Sequence, residues 1–299
     1  MDPTNRRDWI KRAGGAAVGA AVGVSALTQM AGPAEALAVS PPLRRARIKQ
    51  SVSRWCYSRF SLAELCQRAA HIGLLGVDLL QQDDWDFVKD AGLTCTMGYA
   101  AERRDFLTNG FTNRASHPML IKELEAALPV AKAKGVPNLI AMFGNRAGRS
   151  DAEAIAAAVD GLKQVAPIAE ATGVNVCVEL LNSKVDHKDY HGDRTPFGVE
   201  VMKAVGSPRI KLLYDIYHMQ IMEGDVIRTI TQYKDYIGHY HTAGVPGRHE
   251  LDNEQEVNWP AVMQAIVATG FTGYVAHEFI PKRDPWLSLA DAYSICNVG

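Results

Sequence analysis

Ile210-Lys-Leu-Leu-Tyr-Asp-Ile-Tyr-His218 decides how the rest of the chain is read. It follows a turn signal, Gly206-Ser207-Pro208, and opens with Ile210, Leu212 and Leu213, the pattern of a buried strand. It closes on Asp215 and His218. A carboxylate and an imidazole at the end of an apolar strand are costly without a partner. A metal ion or polar ligand would remove that cost. An aspartate used only to cap the next turn would also fit. Three other apolar strands end in a potential metal ligand, and this favours the first reading.

Working outward, strands are expected at Ile48 to Trp55, Gly76 to Leu80, Leu93 to Tyr99, Asn138 to Phe143 and Asn175 to Leu181. Helical patterns separate them at Leu62 to Ile72, Asp84 to Ala91, Pro118 to Lys134 and Ala152 to Thr172. A polar loop, Ala101 to His117, leads into the third helix. Ser61 with Glu64 reads as a capping box, and Gly92, Gly135 and Gly173 close helices. A helix at Gly198 to Val205 precedes the sixth strand. After it come a helix at Asp225 to Tyr236, a strand at Ile237 to Thr242 and a helix from Asn258 or Trp259 to Gly270. A strand at Gly273 to Phe279 and a helix at Pro285 to Cys296 finish the chain. Strict alternation predicts an α/β protein with a parallel sheet and right-handed crossovers. Eight units over roughly 250 residues predict a closed (β/α)8 TIM barrel. An open doubly wound sheet would want a Gly-rich phosphate loop after its first strand, and none is present.

Of the 299 residues, 47% are hydrophobic, enough to bury the core of one large α/β domain. A net charge of −1 excludes the basic surface expected of a nucleic-acid binder. Cys56, Cys66, Cys95, Cys177 and Cys296 are scattered without a C-x-x-C pair, so they read as small core residues.

The N-terminus has its own logic. Asn5-Arg-Arg-Asp-Trp-Ile-Lys11 precedes an Ala/Gly/Val run from Ala13 to about Leu27. Small-residue cleavage sites follow at Ala34-Glu-Ala36 or Ala36-Leu-Ala38. The paired Arg6 and Arg7 resemble a twin-arginine signal, which predicts export to the periplasm with cleavage near residues 36–38. Residues 1–40 are therefore expected to be signal and linker, and residues 41–299 the barrel.

In such a barrel the C-terminal strand ends line the active site. Strand five ends at Glu179 with Asn182 beyond it, strand six at Asp215, and strand seven carries His239 and His241. Strand eight ends at His277-Glu278. Glu179, Asp215, His241 and Glu278 thus converge from adjacent strands. Three carboxylates are not stable together, dry and ionised, without a cation. Oxygen ligands with one imidazole suit Mn²⁺ or Mg²⁺, with Co²⁺ or Zn²⁺ as alternatives. His241 lies nearer the strand end than His239, so His241 is the expected ligand. His239 reads as a satisfied histidine lower in the barrel, and His277 as structural. Arg248 lies in the loop after strand seven, where it can hold an oxygen-rich substrate. The loop Asn182-Ser-Lys184-Val-Asp-His-Lys188 is dense in polar donors that would suit a sugar.

Glu179-Leu-Leu-Asn182, Asp215-Ile-Tyr-His-Met-Gln-Ile-Met-Glu-Gly-Asp225, Gly238-His-Tyr-His241 and Val245-Pro-Gly-Arg-His-Glu250 carry a resemblance. They resemble the hydroxypyruvate isomerase branch of the xylose-isomerase-like sugar isomerase/epimerase superfamily. The resemblance implies one divalent metal on Glu179, Asp215, His241 and Glu278. It implies Glu179 and Glu278 as the acid/base pair and His218 and Arg248 as substrate contacts. Asn182 and Lys184 join the substrate-binding candidates from their polar loop. The chain departs from the pattern in two places. Hydroxypyruvate isomerases usually carry Gln where His241 stands, as ketose 3-epimerases carry His. An export signal is also foreign to a cytoplasmic isomerase.

The implied chemistry is proton abstraction next to a carbonyl, with a cis-enediolate between two glutamates. A second outcome is β-elimination from a 3-oxo-glycoside on the same site. A rival of another class is a periplasmic sugar-binding protein, which would need neither the metal ligands nor the paired glutamates. Expected partners are a small carbohydrate or keto-acid substrate and the twin-arginine export machinery. A homo-oligomer is left open and nucleic acid is excluded.

Overall fold

A computed structural model describes residues 48–298. The expected export signal lies outside the described residues. Eight strands pair in chain order and close on themselves. They are β1 (Lys49–Ser53), β2 (Gly76–Leu80), β3 (Thr94–Tyr99), β4 (Asn138–Met142), β5 (Asn175–Glu179), β6 (Ile210–Asp215), β7 (Ile237–Thr242) and β8 (Tyr274–His277). All pairs are parallel, and β8 returns to β1 with Gln50 beside Val275. This is the expected TIM barrel.

The helices between strands explain why the strands are apolar throughout. A parallel barrel strand packs on side chains inside and helices outside, so neither face meets water. All five residues of β4, Asn138 to Met142, are buried. Truncating Leu139 to Ala there would cost roughly 2–5 kcal/mol. The helices are α1 (Leu62–Ile72), α2 (Trp85–Asp90), α3 (His117–Lys134), α4 (Asp151–Thr172), α5 (Thr195–Val205), α6 (Ile216–Met222), α7 (Val226–Tyr233), α8 (Trp259–Ala268) and α9 (Pro285–Cys296). Ser61 accepts a bond from Glu64 N–H at the start of α1. The reciprocal box with both bonds forms at Ser150 and Glu153 of α4. The five cysteines are free, four of them buried and Cys56 half-buried.

Three departures from regular alternation shape the mouth. The helix expected at Asp225 to Tyr236 forms as α7 closed by a 3-10 turn, Lys234–Tyr236, but an unexpected extra helix, α6, starts directly after Asp215. The first strand is shorter than expected and runs into a 3-10 turn, Arg54–Tyr57, that carries Trp55. In β2 the register against β3 shifts on either side of Asp78, and Leu79 adopts φ +56°. Successive strand residues normally point to opposite faces. The bulge turns Leu79 so that both it and Asp78 serve the inside of the barrel, the re-aiming use of bulges near active sites.

The loop between β3 and α3 is stitched to the end of β4. Phe111 and Thr112 N–H donate to the carbonyls of Met142 and Phe143 at 2.9 and 3.0 Å. Asn145 N–H donates to Thr108 O at 2.9 Å. Gly110 permits this approach, since a Cβ there would lie 2.3 Å from Met142 O.

Candidate metal centre and active site

Glu179 and Asp215 are the last residues of β5 and β6, His241 lies one residue from the end of β7, and Glu278 follows β8. One ligand atom from each lies within 4.8 Å of every other, and all four residues are buried. The four residues expected as ligands are therefore brought together.

Asp215 does two jobs. Its Oδ1 accepts from the N–H groups of Tyr217 and His218 at 2.8 and 3.4 Å, capping α6. Its Oδ2 faces the cluster, 3.2 Å from Arg248 Nη2. Capping and ligation, which compete in the sequence, use different oxygens.

His241 carries the decisive geometry. Its Nε2 donates to Asp78 Oδ2 at 2.8 Å, so Nδ1 bears the unshared pair in the neutral ring. That nitrogen lies 2.7 Å from Glu278 Oε2 and 3.5 Å from Glu179 Oε1. The Glu278 contact lacks hydrogen-bond direction, and Nδ1 has no hydrogen-bond partner. An imidazole lone pair among carboxylates demands a positive charge, either a proton or a cation. Burial opposes protonating His241, but Glu278, Asp78 and Glu179 outweigh it and hold its pKa well above the usual range. Burial raises Glu179, and it lifts Asp215 to about 7 against the pull of Arg248. For Glu278 burial is outweighed by His241 and Arg248, which hold it well below the usual carboxylate range. One nitrogen and three carboxylates, dry and convergent, fit a divalent cation of the Mn²⁺ or Mg²⁺ kind.

Asp78 is the residue that the strand-end argument missed. It is fully buried, and its Oδ1 accepts from Thr96 and lies 3.2 Å from His239 Nε2. Burial would raise it, but the two histidines bring it to about 2. The signal was a lone carboxylate inside the apolar run Gly76-Val-Asp-Leu-Leu80. His239 approaches Asp78 from below His241, but neither of its buried ring nitrogens has a hydrogen-bond partner, so it is not the satisfied histidine expected there. His277 bonds Gln50 Oε1 and Thr242 Oγ1, both at 2.9 Å, away from the cluster.

Arg248 is held in left-handed backbone, φ +60°, by a loop in which its N–H donates to Gly244 O. Such strain is typical of functional positions. Its Nη2 bonds Glu278 Oε2 at 2.7 Å, and its guanidinium lies over the rings of Trp55 and Tyr217. His218 is fully buried, and burial with the nearby Arg248 keeps it neutral. Asn182 Nδ2 donates to His218 Nδ1 at 2.6 Å and to Asp186 Oδ2. His218 Nε2 lies 3.2 Å from Arg248 Nη1 and 3.5 Å from Asp215 Oδ2.

Glu179, Glu278, His218 and Arg248 line a cavity of about 740 Å³ at the C-terminal mouth. Asn182 and Lys184 do not line it. Asn182 orients His218 from behind. Lys184 Nζ donates to the Ile221 and Met222 carbonyls at 2.9 Å and caps the end of α6. Trp55 and Tyr99 line the cavity and were not singled out in the sequence, and His187 of the polar loop expected to suit a sugar lines it too.

Residues 85–293 match the family model described as xylose isomerase-like TIM barrel. The chain belongs to the xylose isomerase-like TIM barrel family. Its similarity to individual members is moderate. It is 36% identical over 124 residues to the 2-oxo-tetronate isomerase of Cupriavidus necator, a match covering 42% of this chain and 47% of that protein. It is 28% identical over 204 residues to the hydroxypyruvate isomerase of Escherichia coli, covering 68% of this chain and 71% of that one. The chain spans 60% or less of the length of several other curated relatives in the family. Among solved structures of this fold it resembles the AP endonuclease, family 2, of Brucella melitensis. That match has a TM-score of 0.71 and 25% identity, covering 82% of this chain and 97% of that one.

Proposed function

We propose that this chain is a divalent-metal-dependent isomerase or epimerase of small carbohydrates or keto acids. The observation that carries the reading is the buried His241 Nδ1 facing Glu179 and Glu278 with no hydrogen-bond partner. Isomerase relatives support the same class of reaction. Glu179, Asp215, His241 and Glu278 would hold the ion. Bound there, the ion would act as a Lewis acid toward substrate carbonyl and hydroxyl oxygens.

The chain's own residues carry the proton. One of Glu179 and Glu278 takes it from the carbon next to the carbonyl, leaving an enediolate. The other returns a proton to the neighbouring carbon or the opposite face. A glutamate that ligates through one oxygen would use its second for the proton, and in Glu278 the oxygen turned away from His241, Oε1, also accepts from Trp55 Nε1 at 2.5 Å. Arg248 holds substrate oxygens with its guanidinium, and neutral His218 stands beside it as a second substrate contact.

The test uses manganese-loaded protein in D₂O with a panel of keto-sugars and keto acids, read by product NMR. Metal-dependent turnover that places deuterium next to the carbonyl is expected. Turnover without label, or turnover unaffected by metal removal, would sink the reading.

The cavity favours a second outcome on the same site. About 740 Å³ is the size of cavities that hold drug-sized ligands, well beyond a three-carbon acid. In a 3-oxo-glycoside, removal of the α proton would leave electrons that expel the β C–O bond. The departing alkoxide would take the proton held by the second glutamate.

We also propose, on the sequence of residues 1–40, that the twin-arginine machinery exports the chain to the periplasm.

A further inference from the structure

The barrel mouth is divided in two. The candidate ligands stand on β5, β6, β7 and just after β8. In a closed eight-strand barrel numbered in order, β3 lies across from β7. The arc β2 to β4 presents no ligand to the same cavity. It offers Leu79 from the bulge of β2, Tyr99 from the end of β3, and Ile140 and Met142 from β4. The loop after β3 adds Phe106 and Leu107, with Glu102, Arg103, Arg104 and Thr108 at the rim beside them.

This wall is held in place. Phe106 packs edge-on to Tyr99, with ring centroids 5.1 Å apart at 83°. The Arg103 guanidinium lies over the Phe106 ring, itself anchored 3.3 Å from Glu123. Leu107 is 41% exposed, a large apolar side chain left at the cavity edge. A polyol lying on Leu79, Ile140, Met142 and Phe106 would find no side-chain hydrogen-bond partner in those four residues to replace water.

We propose that the substrate is a carbonyl-bearing sugar joined to an apolar group, as in the glycoside of a phenol or an aliphatic alcohol. The sugar end sits among Glu179, Glu278, His218 and Arg248. The apolar group lies on the β2–β4 arc against Phe106 and Leu107. The assignment of the sugar end rests on the reaction proposed above. The apolar subsite rests on the wall alone.

The test is a binding titration of manganese-loaded protein with two unreactive probes, methyl and phenyl β-D-glucopyranoside, by calorimetry. The phenyl compound should bind roughly tenfold tighter or more, since a single extra methylene in an apolar pocket is already worth roughly 10–200-fold. Phe106→Ala and Leu107→Ser should each narrow that ratio to about threefold or less. Leu107 is exposed, so the second variant keeps its fold. Equal affinities, no phenyl binding, or a ratio unchanged in both variants would overturn the subsite. Deuterium incorporation without a phenyl preference would leave the proposed reaction standing and remove the subsite. A phenyl preference lost in both variants, without any deuterium incorporation, would do the reverse.

Discussion

Asp78 Oδ2 accepts the Nε2 proton of His241 at 2.8 Å, and so determines which nitrogen of that ring faces the carboxylates. A carboxylate behind a ligating histidine orients the ring and raises its basicity, and its loss typically costs 10–100-fold in metal affinity. Asp78→Asn should therefore weaken manganese binding by about that factor. Competition with a chromophoric chelator would measure it, with far-UV circular dichroism as the check on folding. An unchanged binding constant would mean that packing alone orients His241.

The glutamates should separate ligation from proton transfer. Glu179→Gln and Glu278→Gln each keep an oxygen donor and lose the base. Turnover should fall by roughly 10²–10⁴-fold while metal binding weakens far less. Stopped-assay rates and metal content on the same preparations give both numbers. Near-normal rates in both variants would remove the acid/base assignment.

Metal removal should destabilise the barrel mouth. Glu179, Asp215 and Glu278 are buried together, and among the described residues Arg248 is the one guanidinium bonded to any of them. A ligand at a hundred times its Kd adds about 2.7 kcal/mol to the folded state. For a domain this size that is a Tm difference of several degrees between manganese and EDTA. Identical melting curves in calorimetry would mean that the cluster is compensated without an ion.

His277 should contribute to acid sensitivity. Burial holds its pKa down at about 3, against about 6.5 in the unfolded chain. Between those values the unfolded state binds the extra proton, so stability is full above about pH 6.5 and is lost as pH falls toward 3. The loss is on the order of a few kcal/mol, at ~1.4 kcal/mol per pKa unit. His277→Gln, which has nothing to protonate, should flatten this part of the urea-measured stability profile. An equally steep profile in the variant would place the acid sensitivity elsewhere.

Replacing Arg6 and Arg7 together with Lys should abolish export. Cell fractionation followed by immunoblotting would read it, and an unchanged periplasmic fraction would refute the signal.

The fold was legible because a parallel barrel buries both strand faces. Runs such as Asn138 to Met142 therefore stand out between amphipathic helices. Glu179, Asp215, His241 and Glu278 were legible for the opposite reason, as polar residues ending those runs. Asp78 was not, because it enters from mid-strand through a bulge, and periodicity does not announce a register shift. Lys184 looked like a sugar contact, but a lysine near a helix C-terminus is equally satisfied by that helix's carbonyls, and its position in the chain does not distinguish the two. Trp55 and Tyr99 stood in the sequence only as ends of expected strands, and closure of the barrel turns both into the mouth.

The division of the mouth follows the order of the chain. The apolar wall is built from residues between Leu79 and Met142, and the proton-handling cluster from residues between Glu179 and Glu278. α4 runs between the two sets. Selectivity and chemistry are thus written in separate, contiguous halves of the polypeptide. A relative's first four strands grafted ahead of α4 would exchange the molecule accepted while leaving the reaction inherited, provided the incoming half brings Asp78 behind His241 and Trp55 beside Glu278 and Arg248.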